Sequence, residues 1–178
     1  MKPHPRSETP RRARRGAWFV LALALLAAGA PRPADAVQVT TGAGSGLAGQ
    51  TVDITLSTGN LTGLGIVSLQ FDLTYFANRV TAVDVIEAGT SVGAAGWGDA
   101  TFNVTSGKIT VSHAGTTPLT GSGPLLVIRF LVNPAQLAAS STPLTLSNFV
   151  FNEGVPNDTT TNNTLTIQMA STGVLTLV

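Results

Sequence analysis

In the stretch Gly65–Tyr75, apolar and polar residues alternate without a break from Val67 onward. Val67, Leu69, Phe71, Leu73 and Tyr75 take every second position, with Ser68, Gln70, Asp72 and Thr74 between them. That is the period of a half-buried β-strand, one face on a core and one in solvent. The period recurs along the chain. Val37–Thr41 alternates, as do Val52, Ile54 and Leu56. Val80 and Ala82 are followed by Val83 and Val85, a phase shift that predicts a bulge. Ala100, Phe102 and Val104, then Ser106-Gly107, then Ile109, Val111 and His113 predict a hairpin. Pro124–Asn133 is apolar in both phases with Arg129 its one charge, which predicts a strand covered on both sides. Leu144 and Leu146, then Phe149 and Phe151, make a strand with a slip near Ser147-Asn148. Leu165, Ile167, Met169 and the terminal Val174–Val178 close the chain as strands. The Gly-rich stretches 42–49, 89–98 and 115–123 read as turns and loops, and 152–163 as a long polar loop. Nine or ten short strands and no long helix predict an all-β sandwich or jelly roll.

The first 36 residues fall outside this pattern. Arg6, Arg11, Arg12, Arg14 and Arg15 form a basic segment, Ala17–Ala30 is an apolar run of 14, and Ala34-Asp35-Ala36 is a small-x-small site. This is the layout of a secretory signal peptide, so residues 37–178 are expected to be the mature, secreted domain. A run of 14 is short of the about 20 residues that a membrane span needs. The paired arginines keep a twin-arginine export route open.

Removing the leader reverses the charge. Of the ten Lys and Arg, only Arg79, Lys108 and Arg129 follow residue 36, against seven acids, a net of −4. Three scattered cations make no footprint for nucleic acid. There is no Cys, so the fold is expected to rest on its core alone.

Residues able to do chemistry are sparse. His113 is the one His after residue 36, and general acid–base work needs a positioned partner. One His and no Cys all but exclude a zinc site, and no metal or cofactor and no enzymatic activity is expected. Glycoside hydrolysis takes two carboxylates, and no spacing among Asp72, Asp99, Glu153 and Asp158 selects a pair. Glu153, Asn157 and Asp158 carry oxygens of the kind calcium takes, without the alternation of a calcium loop. Trp97 lies between Gly96 and Gly98. It reads either as an exposed platform for stacking on a sugar ring or as an indole folded over the end of the sandwich. Tyr75 shares the apolar phase and is assigned to the core.

Several segments fall in a recognisable order. Gly49-Gln50-Thr51-Val52 is followed by Gly65-Ile66, which opens a strand ending Phe71-x-Leu73-x-Tyr75. Then come Gly107-Lys108-Ile109-Thr110-Val111, and Gly121 to Leu126 running into Ile128-x-Phe130-x-Val132. Last, Leu144-x-Leu146-Ser147-Asn148-Phe149 runs into Phe151-Asn152-Glu153-Gly154. Together, over Val37 to Ile167, they resemble the cohesin domain. The resemblance implies a nine-stranded flattened β-sandwich of jelly-roll topology. It implies a non-catalytic module that binds dockerins and so mounts polysaccharide-degrading enzymes on a scaffold. It places the partner surface on the outward residues Ser68, Gln70 and Asp72 and on the stretch from Ser112 to Gly123, with Thr116 and Leu119. Cohesins share their fold with a class of cellulose-binding modules, which implies polysaccharide as the alternative partner, with Trp97 stacking on the sugar.

Overall fold

The computed structural model describes residues 36–136, 138–156 and 158–168. The leader up to Asp35, Asn157, Met169 and the strand expected over Val174–Val178 lie outside the described residues. In chain order the strands are β1 Val37–Thr41, β2 Gly44–Leu47, β3 Thr51–Thr58, β4 Ser68–Thr74, β5 Val80–Ile86, β6 Thr101–Thr105, β7 Lys108–Ala114, β8 Gly123–Val132, β9 Ser140–Phe151, β10 Asp158–Thr161 and β11 Asn163–Gln168. One helical turn, α1 Ser91–Ala94, sits in the Gly-rich stretch before β6, capped by the Thr90 hydroxyl. No helix of the described residues is long and apolar enough to cross a membrane.

The strands form two sheets, ordered β10-β1-β3-β8-β5 and β2-β11-β9-β4-β7-β6. The eleven strands are nine runs of chain. β1 and β2 are one run that leaves the first sheet at Gly42 and joins the second, and β10 and β11 make the same crossing at Asn162. The two runs travel side by side, β1 parallel to β10 and β2 parallel to β11. The backbone explains why Gly44–Leu47, within the expected turn, is a crossing strand, with a turn only at Ala48-Gly49. The Gly42 N–H donates to Thr55 O at 2.7 Å. A Cβ on Gly44 would lie 2.6 Å from Ile54 Cδ1, and one on Gly46 would run into Val52. Glycine lets the crossing strand lie directly on the core side chains of β3.

Leu69, Phe71, Leu73 and Tyr75 all point into the core, as the alternation of β4 demands. Phe71 stacks on Phe149 at 5.6 Å, and Tyr75 meets Phe130 edge-on at 5.2 Å. The Tyr75 hydroxyl finds a partner in the Ala82 N–H at 3.3 Å. The inward phase begins later than expected, because Ile66 is buried while Val67 is half-exposed. Gly65 has φ +66, and the Val67 N–H is taken by Asn152 Oδ1 at 2.8 Å, so the chain turns before joining the ladder.

The expected irregularities are present. β5 shifts register against β8 between Ala82 and Asp84, and β4 against β9 between Gln70 and Asp72, beside Ser147-Asn148. β8 is covered on one face and not two. Val127, Arg129 and Leu131 are half-exposed, and Arg129 grips Asp53 on the outer surface at 2.7 and 2.8 Å. Its doubled apolar pattern has another cause. The register against β3 slips so that Leu56 faces Leu126 while Ser57 faces Pro124, and the intervening Leu125 turns inward beside Leu126.

Candidate recognition face

The outward residues of β4 and its neighbours form a continuous polar surface. The pairings give three rows across four strands: Val150–Gln70–Ser112–Thr101, Ser147–Asp72–Thr110–Asn103 and Thr145–Thr74–Lys108–Thr105. Most of these side chains are uncharged hydroxyls and amides. The two charges neutralise each other. Asp72 accepts from the Thr110 hydroxyl at 2.6 Å, the Asn148 amide at 2.9 Å and Lys108 Nζ at 3.3 Å. These partners, Thr110 first, hold its carboxyl below the usual carboxylate range. Asp72 is therefore a tie within the face. Gln70 is exposed and Ser68 half-exposed, with no side-chain hydrogen bond among the described residues.

Asn152 organises the upper edge of the face. Its Oδ1 accepts from the Val67 and Ser68 N–H groups at 2.8 and 3.1 Å, and its Nδ2 donates to Gly65 O at 2.9 Å. Asn148 and Asn152 have φ of +50 and +40, the left-handed region that Asn tolerates best among non-glycine residues. Neither was singled out as a site residue by sequence reasoning. The available signals were the Ser147-Asn148 slip and the turn-forming Asn152-Glu153-Gly154.

The loop after β7 is pinned to the sandwich. The Gly115 N–H donates to Val67 O at 2.9 Å, and the Leu119 N–H to Ile66 O at 2.8 Å. Thr116 is exposed beside the face, but Leu119 is fully buried, so its side chain cannot touch a partner. Leu119 belongs to the core cluster and anchors the loop from below.

Trp97 is not a platform. It is 8% exposed. Its Nε1 donates to Thr117 O at 2.7 Å, and its ring meets His113 edge-on at 5.3 Å. Gly115 packs against the indole so closely that a Cβ there would enter the ring. The glycines on either side of Trp97 have φ of +69 and +82, and they turn the chain so that the indole folds over the end of the sandwich. Sugar stacking at Trp97 is thereby ruled out.

His113 is also buried, and its Nε2 has no hydrogen-bond partner. Burial pushes its pKa down, partly opposed by Glu87. Among the described residues its ring makes no hydrogen bond to a side chain that would form a catalytic pair, although the Glu87 and Asp99 carboxylates are close enough to act on it through charge. Asp158 starts β10 beside Val37, its carboxyl pushed up by burial, while Glu153 is exposed on the turn before it. Among the described residues, no group of three or more His, Cys, Asp or Glu could hold a metal ion.

The family model of the cohesin domain matches residues 37–168. The chain belongs to the cohesin family. A search of curated proteins found no match. Solved structures agree on the fold. The sixth cohesin of the Acetivibrio cellulolyticus scaffoldin B, in complex with a Cel5 dockerin, is 16% identical with a TM-score of 0.61, over 75% of this chain and 99% of that one. A type I cohesin–dockerin complex from Clostridium thermocellum, Coh-OlpC–Doc435, is 15% identical with a TM-score of 0.62, over 80% and 99%. A non-cellulosomal cohesin from the archaeon Archaeoglobus fulgidus is 20% identical with a TM-score of 0.59, over 75% and 91%. This cohesin thus has the sandwich that its core pattern implies.

Proposed function

We propose that this cohesin is an exported, non-catalytic recognition module that seats a dockerin-type partner on the outer face of β4, β7 and β9. The observation that carries the reading is the face itself. It is regular and polar, the one acid and one cation of its three rows are tied to each other, and among the described residues Ser68 and Gln70 have no side-chain partners. The three rows can be desolvated by a partner at little electrostatic cost, because their two charges are already paired and the Glu153 carboxylate lies outside them, at the upper end of the face. A standard interface takes about 800 Å² from each side. The relatives from Acetivibrio cellulolyticus and Clostridium thermocellum are seen in complex with dockerins, and their sandwich is the one present here. The setting we infer is extracellular polysaccharide breakdown, with the module holding a degradative enzyme through its dockerin. Export is supported by the Arg-rich and apolar leader and by Ala34-Asp35-Ala36, directly before the first strand at Val37.

The test is calorimetric titration with calcium-loaded dockerins encoded by the same organism. Binding is expected for at least one, and is expected to vanish on chelation and in the double variant Ser68→Asp, Gln70→Lys. Absence of binding to every such dockerin, or undiminished binding by the double variant, overturns the assignment of this face.

A further inference from the structure

The upper end of the recognition face holds a pit of about 170 Å³ walled by Ser68, Gln70, Ser112, Ala114, Val150 and Glu153, with the buried Leu69 and His113 also lining it. At roughly 30 Å³ per water, that is space for about six waters, or for one long side chain. Its lining is divided. Ala114 and Val150 give apolar contact, while Ser68, Gln70 and Ser112 offer hydroxyl and amide oxygens.

Glu153 on the rim is the unusual member. Its φ is +62, a conformation that glycine takes freely and that an L-residue with a long side chain rarely adopts. The turn over-determines this geometry. Asn152 makes its three bonds to Gly65, Val67 and Ser68, and the Gly154 and Val155 N–H groups both donate to Phe151 O, at 2.6 and 3.0 Å. A glycine or asparagine would sit there without strain, yet the residue is a glutamate. Its side chain is exposed and makes no hydrogen bond or ion pair among the described residues. The only cation of the three rows, Lys108, is tied to Asp72 toward the other end.

We infer that this pit is a subsite for a cationic side chain, lysine or arginine, presented by the partner. The aliphatic stem lies over Val150 and Ala114, and the charged head meets the Glu153 carboxylate with Ser68, Ser112 and Gln70 oxygens beside it. The inference builds on the assignment of the recognition face, and it adds a charge requirement on what binds there.

It is testable without any dockerin. The ¹⁵N-labelled chain is titrated with N-acetyl-lysine methylamide and, separately, with the norleucine and glutamate analogues. The lysine probe is expected to shift the amide resonances of Ser68, Gln70, Ser112 and Glu153 saturably, with a Kd at least about threefold below that of norleucine, and the glutamate probe to shift none. Glu153→Gln is expected to bring lysine to the norleucine level. Glu153→Asn should do the same while relieving the positive φ, so that loss of folding cannot imitate loss of the site. Equal Kd values for lysine and norleucine on the unmodified chain overturn the inference, as do shifts centred elsewhere or a lysine preference that survives both substitutions. Because no dockerin enters the measurement, failure here and failure of dockerin binding are separate results.

Discussion

Replacing Gly115 by Ala tests what holds the loop beside the recognition face. Gly115 is not among the residues with left-handed φ, so its backbone suits any L-residue and its need for glycine is steric. A Cβ there would enter the Trp97 indole against Cδ1, Cγ and Nε1. Neither side yields freely. Gly115 is tied by its N–H to Val67 O at 2.9 Å, and the indole by Nε1 to Thr117 O at 2.7 Å. Overpacking a filled core costs about 1–3 kcal/mol. Losing the indole hydrogen bond adds about 1 kcal/mol, giving roughly 2–4 in all. In a Trp97→Ala background the obstacle is gone. The same Gly→Ala change should then stabilise by about 0.4–1 kcal/mol, because alanine restricts the unfolded chain. Trp97→Ala alone costs about 3–5 kcal/mol, within the 5–15 of an ordinary domain. The assay is urea denaturation of the four proteins of the cycle, followed by far-UV circular dichroism because two of them lack the indole. A cost below about 1 kcal/mol for Gly115→Ala, or an equal cost in both backgrounds, refutes the packing argument.

Asp72→Asn should destabilise by about 1.5–3 kcal/mol at pH 7, since its donors lose a charged acceptor. The carboxyl is depressed in the fold, so its contribution is complete above the unfolded value of about 3.9 and is lost as pH falls through the lower, folded value. Urea midpoints of the two proteins should converge below pH 4, and a gap undiminished at the acid end would contradict the network. His113 has the opposite chemistry but also loses stability in acid. Its folded pKa is lowered by burial, so the unfolded chain takes the proton first, and stability should fall as pH drops below about 6.5. His113→Phe removes the unpartnered Nε2 and should flatten the midpoint between pH 7 and 5, and an unchanged slope would place the titration elsewhere. Leu119→Ala should cost about 2–5 kcal/mol in thermal unfolding, because the side chain is in the core. A cost near zero would mean that it faces solvent after all.

What could be read in the chain was whatever repeats locally. The alternation in β4, the bulge at Ala82–Asp84, the hairpin of β6 and β7 and the slip near Asn148 are each carried by neighbouring residues. What could not be read depends on contacts between distant residues. β2 looks like a turn because glycine is a turn former, and only the side chains of Val52 and Ile54 reveal why glycine is needed in a strand there. Trp97 could be read either as a platform or as a folded-back indole because its glycine neighbours say nothing about Gly115, His113 and Thr117, which enclose it. Phe102 follows the apolar phase yet is 39% exposed, because β6 is the edge of its sheet. Asn152 binds Gly65, Val67 and Ser68 across 84 to 87 residues of chain, and no local pattern marks such a residue.

The same division explains why the fold survives at 15–20% identity to other cohesins while the partner stays hidden. The inner face of β4 is fixed by volume, since Leu69, Phe71 and Leu73 fill a closed core and any change of size is felt there. On the outer face Ser68 and Gln70 make no side-chain hydrogen bond among the described residues, so little stability is expected to rest on them and they are free to follow a partner. That has a measurable consequence. Ser68→Asp with Gln70→Lys, the pair expected to abolish dockerin binding, should change the unfolding free energy by no more than about 1 kcal/mol, since surface changes away from special features stay within about ±0.5 each. Asp72, on the same strand and only one outward step further, should behave as a structural residue because it ties Lys108, Thr110 and Asn148 together. If the double variant unfolds as readily as Asp72→Asn, the outward positions of β4 are structural as a group, and the argument that Ser68 and Gln70 are held for recognition fails.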